Sequence, residues 1–157
     1  MTERATTSVS IRQLRPGDEG VLEMLATSDP DFDLEGRGST LLPLEPDAAR
    51  SFLSNPAVQF WTALDGDDVV GFLYCIVLPL RSGEARELLL YEIGVRKSAR
   101  RRGAGRALLD CMERWMMQND VGEVWVCADN PAAVQFYRGF GFDAPGDQPV
   151  YMTRRPY

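Results

Sequence analysis

A chain of 157 residues with 45% apolar side chains has the length of one domain, and at that size folding hides roughly 70% of the surface an unfolded chain exposes, so no disulfide or metal staple is required. It contains no histidine, which excludes Ser-His and Cys-His nucleophile systems, histidine metal sites and an imidazole general base, and leaves proton chemistry to carboxylates, tyrosines, thiols and water. A net charge of −6 without a basic face excludes a nucleic-acid partner.

Residues 1–10 lack a basic region followed by an apolar stretch, and no segment reaches the about eighteen apolar residues of a membrane span. The sequence therefore reads as soluble and cytoplasmic, with no membrane partner. Residues 9–14 read as a first strand, after which Pro16, Gly17 and Asp18 give a turn and a helix start ahead of Val21, Leu22 and Leu25. Residues 28–39, broken by Pro30, Gly36 and Gly38, read as an exposed loop. From 17 to 47 nine acidic residues face a single base, Arg37, so this region attracts cations. Glu45, Pro46 and Asp47 then open a short helix through Phe52 and Leu53, which Asn55 and Pro56 end.

Residues 59–64 and 69–78 are apolar runs joined by Asp65-Gly66-Asp67-Asp68, a hairpin signal. The second run is apolar at nearly every position and belongs in the middle of a sheet covered on both faces. A strand over 86–95 follows and runs into a basic segment, where Arg96, Lys97, Arg100, Arg101, Arg102 and Arg106 make up six of the seventeen basic residues. From 103 to 117 the apolar positions Ala104, Ala107, Leu108, Cys111, Met112, Trp115 and Met116 recur at three and four, marking one helix face. Residues 123–128 read as a strand, Asn130-Pro131 starts a helix through Ala133, Phe136 and Tyr137 that Gly139 and Gly141 close, and 142–153 read as a last hairpin. This order predicts an α/β fold: a mixed, mostly antiparallel central sheet of about seven strands flanked by about four helices, in one domain over 1–157. Cys75, Cys111 and Cys127 lie far apart in apolar segments, a spacing that fits neither zinc nor a disulfide framework. They read as reduced core residues, and no metal site is expected.

Strand, basic glycine-broken turn and long helix together form an anion-binding arrangement, because a helix start presents unpaired N–H groups and the positive end of its dipole. A P-loop requires Lys and Ser or Thr after the glycine, and here Arg106 and Ala107 follow Gly105. A dinucleotide fingerprint requires a third glycine where Leu108 stands. The remaining scheme is an arginine-initiated pyrophosphate loop, Arg100-x-x-Gly103-x-Gly105.

That loop resembles the acetyl-CoA pyrophosphate loop of the GNAT superfamily of N-acetyltransferases. The segment Asn130-Pro131-Ala132-Ala133-x-x-Phe136-Tyr137-x-x-x-Gly141-Phe142 is similar to the superfamily's signature after its fifth strand. Within the superfamily, Val77-Leu78-Pro79 and Leu90-Tyr91-Glu92-Ile93-Gly94-Val95 look like the small aminoglycoside 3-N-acetyltransferases, which carry a similar aromatic-acidic pair. Those enzymes have a short acidic insertion where this chain passes from Asp129 directly to Asn130.

The resemblance implies acetyl-CoA as cofactor and a small cationic amine, foremost an aminoglycoside, as partner; it also suggests a homodimer. It implies a gap beside the strand ending at Val95, through which the backbone of Ile93, Gly94 and Val95 binds the pantetheine arm as an added strand. Arg100, Arg101, Arg102 and Arg106 offset the phosphate charge, while the amides from Arg101 through Arg102, Gly103, Ala104 and Gly105 make direct hydrogen bonds. Asn130 hydrogen-bonds the same arm or simply caps its helix, and both readings hold together.

Glu92 is the implied base for an ammonium that, with a pKa near ~10.4, is mostly protonated at neutral pH. A structural ion pair is the competing reading. Tyr137 resembles the superfamily's general acid toward the CoA sulfur; packing beside Phe136 competes. Asp29, Asp31, Asp33, Glu35 and Asp129, with Tyr91, are the expected substrate-binding residues, although the acidic ones read equally as a solvated loop and Tyr91, like Trp61 and Trp125, equally as core. Direct attack in a ternary complex follows, because an apolar strand in a chain without histidine gives Cys127 no partner to activate it for a covalent route. Protein N-terminal or lysine acetylation, and a non-catalytic acyl-CoA sensor, stand as alternatives.

Overall fold

The computed structural model describes residues 8–32, 41–147 and 149–156. Asp33 and Glu35 lie outside the described residues. Two compact units divide between Cys127 and Ala128.

The first unit runs β1 (Ser10–Gln13), α1 (Glu19–Thr27), α2 (Asp29–Phe32), α3 (Pro46–Ser54), β2 (Val58–Asp65), β3 (Asp68–Leu78), β4 (Arg86–Val95), a short 3-10 turn (Lys97–Ala99), α4 (Ala104–Gln118) and β5 (Val121–Val126). The sheet order is β1-β2-β3-β4-β5. The first four strands are antiparallel to their neighbours, and β5 lies parallel to β4. Direct loops join β2 to β3 and β3 to β4, while α1, α2 and α3 intervene between β1 and β2; the parallel pair demands a crossover, and α4 supplies it. Gly66, at φ +63, occupies the first central position of the two-residue turn closing β2 onto β3, where only glycine adopts that backbone cheaply.

Both faces of the sheet are covered. On one, Leu14, Leu25, Phe32, Leu53, Phe60 and Phe72 form a buried cluster drawn from β1's end, α1, α2, α3 and the sheet. On the other, α4 lays its apolar stripe down: Leu108, Leu109 and Met112 are buried, with Met112 Sδ 3.8 Å from Cys75 Sγ. Strand β3 sits between them, which is why it tolerates apolar residues at successive positions.

The second unit holds α5 (Pro131–Arg138). Asn130 caps it, its Oδ1 accepting the Ala133 N–H at 2.8 Å, and proline stands at the first helical turn, where no N–H is missed. At the other end Gly141 takes φ +86, and the Phe142 N–H donates to the Tyr137 carbonyl at 3.1 Å.

The mixed α/β architecture agrees with the sequence, but among the described residues the sheet has five strands rather than about seven, and there are five α-helices rather than about four. No hairpin forms among the described residues of 142–153. Pro145 and Pro149 each remove a donor from that tail, and Val150, Tyr151 and Met152 are exposed. The additional helix, α2, begins the stretch expected to be loop; Phe32, its one apolar side chain besides the proline, is 5% exposed, and that burial holds the short turn. Cys75 is buried, but Cys111 is half-buried and Cys127 exposed, so only the first is a core residue. Cys127 follows the last residue of an edge strand, beyond the ladder that would have covered it. Among the described residues no helix is long and apolar enough to cross a membrane.

Candidate active site

The chemistry concentrates on the second half of β4. Its first half pairs on both sides, but the ladder to β5 ends at Leu90 opposite Val126. From Glu92 to Val95 the strand keeps its β3 partner, and among the described residues it has no ladder partner on the β5 side.

A bulge at Tyr91 determines which way the side chains point. Cys75 pairs with Leu90 and Tyr74 with Glu92, leaving Tyr91 as the extra residue. Residues directly opposite share a face, so Leu88 and Leu90 lie with Cys75 under α4. An unbroken strand would place Glu92 there too. The bulge turns Glu92 and Gly94 to the opposite face, beside Tyr74 and Phe72, and leaves both Tyr91 and Glu92 exposed. The Tyr91 and Tyr74 rings lie 5.2 Å apart. Burial raises the Tyr74 pKa, and charge at Tyr91, Glu92 and Cys75 raises it further, so its phenol keeps its proton at neutral pH.

Backbone direction follows from one hydrogen bond. The Arg96 N–H donates to the Val70 carbonyl at 2.8 Å, so in this antiparallel ladder Arg96, Gly94 and Glu92 direct their peptide groups toward β3. Ile93 and Val95 direct theirs toward the open side.

The turn after β4 is built for close backbone approach. Arg101 takes φ +59 and Gly103 φ +88, consecutive left-handed kinks that bring the chain into α4. Gly103 is the N-cap and has no side chain to occupy the N–H groups of the first turn. Of its arginines, Arg102 pairs with Asp65 at 3.2 Å. Arg100 is turned inward: Nε donates to the Val95 carbonyl and Nη2 to the Phe32 carbonyl, both at 3.1 Å. Arg101 and Arg106 are exposed. A cleft of about 560 Å³ beside this turn is lined by the β2–β3 hairpin, Arg96, Ser98 and Arg102, and by no residue of 91–95.

The expected substrate residues are only partly gathered. Asp29 and Asp31 share α2, and Asp31 is paired with Arg96 at 3.0 Å. In the second unit Asp129 Oδ1 accepts from Asn130 Nδ2 at 3.1 Å, so both ends of the Asn130 amide are engaged within that unit. Tyr137 is 8% exposed, its ring 5.2 Å from Phe136 and 5.3 Å from Phe142. Tyr74 and Phe32 were not singled out from sequence. Register alone brings Tyr74 opposite Glu92, and no local pattern announces it. Among the described residues no cluster of carboxylates and thiols is arranged to hold a metal.

The model of the acetyltransferase (GNAT) family matches residues 17–142. Among solved structures, the aminoglycoside acetyltransferase meta-AAC0020 from an uncultured soil metagenomic sample, in complex with sisomicin, aligns with a TM-score of 0.80 at 21% identity, covering 95% of this chain and 97% of that one. The aminoglycoside acetyltransferase HMB0005, also from an uncultured soil metagenomic sample, gives 0.81 at 21% identity, with 96% and 99% covered. Ribosomal-protein-alanine N-acetyltransferase from Brucella melitensis biovar Abortus 2308 gives 0.70 at 19% identity, with 94% and 100% covered. No curated protein matches the chain. An open strand edge running into a left-handed, uncapped turn at the start of a long helix is thus found in a chain that belongs to the acetyltransferase (GNAT) family.

Proposed function

We propose that the protein transfers an acetyl group from acetyl-CoA to a primary amine of a small cationic substrate, an aminoglycoside first among them, by direct attack in a ternary complex. The observation that carries this reading is the bulge at Tyr91, which exposes Glu92 on the strand segment that, among the described residues, lies beyond the end of the β5 ladder. The family model matches 17–142 and so continues past the division between the units, which supports reading the chain as a single functional domain over 1–157.

The residues present fit the donor. Left-handed backbone at Arg101 and Gly103 and the uncapped α4 leave room and N–H groups for a diphosphate. Arg101, Arg102 and Arg106 offset its charge. The outward peptide groups of Ile93, together with the Val95 N–H, are free of β3 to take pantetheine amides as an added strand.

Acetyl-CoA, when bound, supplies the acetyl group already activated as a thioester. In this reading the Ile93 N–H polarises the carbonyl oxygen. Glu92 accepts the proton of the incoming ammonium, directly or through one water. Tyr137 donates its phenolic proton to the departing sulfur, and Asn130 holds its helix start in place for the pantetheine arm. Asp29 and Asp31 contribute negative field where a polycation approaches, and Tyr91 offers it an exposed ring.

The neighbour bound to sisomicin supports the aminoglycoside choice. CoA release measured against aminoglycosides, polyamines and peptides tests it. Turnover is expected on polycationic small amines. Turnover solely on peptides rejects the choice of acceptor, and acetyl-CoA binding without turnover of any amine rejects the enzyme in favour of a sensor.

A further inference from the structure

An arginine that opens a phosphate-binding turn is expected to face phosphate. Arg100 is turned inward instead: Nε donates to the carbonyl of Val95 on the open edge of β4 and Nη2 to that of Phe32 at the end of α2, each at 3.1 Å. Arg96 behaves alike. Its Nε and Nη2 donate to the Val69 carbonyl at 3.3 and 3.2 Å, its Nη1 meets Asp31 Oδ2 at 3.0 Å, and its guanidinium lies 4.9 Å from the Phe32 ring centroid.

We propose that Arg96 and Arg100 are positioning residues that clamp α2, the start of the acidic acceptor-side segment, onto β4 beside Glu92. This rests on the acetyltransferase reading above. A four-residue helix has no stability of its own, so what holds it must be tertiary. Phe32 is its one buried residue and meets Phe72 edge to face at 5.6 Å. It comes within 3.3 Å of where a side chain on Gly94 would begin. Gly94 shares its face with Glu92, so α2 lies on the face of the sheet that carries the proposed base. Three contacts then fix its end: the Phe32 carbonyl, the Phe32 ring and the Asp31 carboxylate.

The geometry needs a fork. Arg100 spans two carbonyls with nitrogens held in one plane, and Arg96 divides its donors between a carbonyl and a carboxylate. A lysine ammonium carries the charge but not the fork. Charge-preserving and charge-removing variants therefore separate clamping from phosphate attraction. If Arg100 acts by charge, R100K keeps acetyl-CoA affinity and R100Q loses it. If Arg100 clamps, both variants keep that affinity and both weaken the acceptor side.

The test uses the full chain with three readouts: calorimetric affinity for acetyl-CoA, KM for sisomicin as amine probe, and amide hydrogen exchange across Asp29–Phe32 in the ligand-free protein. For R100K and R100Q alike we expect acetyl-CoA affinity within about threefold of wild type, KM raised by about tenfold or more, and faster exchange across α2. R96Q gives the same pattern and carries the test if an Arg100 variant does not fold. A tenfold loss of acetyl-CoA affinity restricted to R100Q overturns the proposal, as does unchanged exchange across α2. Absence of acetyl-CoA binding or amine turnover in wild type defeats the transferase reading instead, and the exchange comparison still decides whether the clamp exists.

Discussion

Replacing Gly94 by alanine tests the packing on which the candidate site stands. A Cβ built at Gly94 falls 2.6 Å from Phe72 Cε1, 3.0 Å from Phe72 Cζ and 3.3 Å from Phe32 Cβ. Gly94 has no positive φ among the described backbone, so an alanine meets no dihedral penalty and the cost is steric. Phe72 has little room to yield, being stacked at 5.8 Å on Phe60 and edge-on at 5.6 Å to Phe32. Overpacking of this kind costs about 2–3 kcal/mol, and the lower entropy of an unfolded alanine chain returns about 0.5–1 kcal/mol. The net loss is about 1–2.5 kcal/mol, or a fall of roughly 5 °C in Tm for a chain of this size. Urea unfolding of wild type, G94A, F72L and the double variant measures it. Shrinking Phe72 removes the colliding ring edge, so the double variant should be more stable than the summed singles by about 1 kcal/mol. G94A unfolding with wild type, or costing the same in the F72L background, refutes this picture of the β4 face.

Glu92→Gln is expected to lower turnover by about 10²–10⁴-fold, and Tyr137→Phe to produce a large loss, with acetyl-CoA affinity nearly kept in both; unchanged steady-state rates reject those roles. At Asp18, burial works to raise the pKa, but hydrogen bonds from Arg12 and the Arg15 N–H, with the Arg12 charge, outweigh it and leave the value below the ordinary 3.8. The stabilisation from its ionised form is therefore full above 3.8 and disappears as pH falls through the lower folded value, so D18N should trail wild type at neutral pH and converge with it in acid on urea titration. A thiol reagent should label exposed Cys127 first and Cys111 more slowly, and reach Cys75 only on unfolding, because burial pushes that thiol's pKa far up; early labelling of Cys75 contradicts the core described here.

What was legible in the sequence is what neighbouring residues decide among themselves. Asp65-Gly66-Asp67-Asp68 specifies its turn whatever surrounds it, the three-and-four spacing from Ala104 to Met116 marks α4, and Asn130-Pro131 marks the start of α5. The bulge at Tyr91 was not legible, because an extra residue in β4 is defined by the register of β3. Without it, counting by twos puts Glu92 under α4. The inward hydrogen bond of Arg100 was not legible for a similar reason: its acceptor, the Phe32 carbonyl, lies 68 positions away in sequence. The two missing strands trace to turn residues that mimic a hairpin while the prolines around Val150, Tyr151 and Met152 withhold ladder donors.

Titration of acetyl-CoA into wild type and G103V, followed by calorimetry, bears most directly on the central claim that the turn before α4 seats the donor's diphosphate. Gly103 holds φ +88 with no heavy atom within 4 Å of its missing side chain, so a β-branched residue there strains the backbone by about 1–3 kcal/mol and obstructs approach to the helix start. Saturable binding by wild type and its loss in G103V, with α4 still folded by circular dichroism, is the predicted result. No heat with wild type, or equal affinity in the variant, contradicts the account.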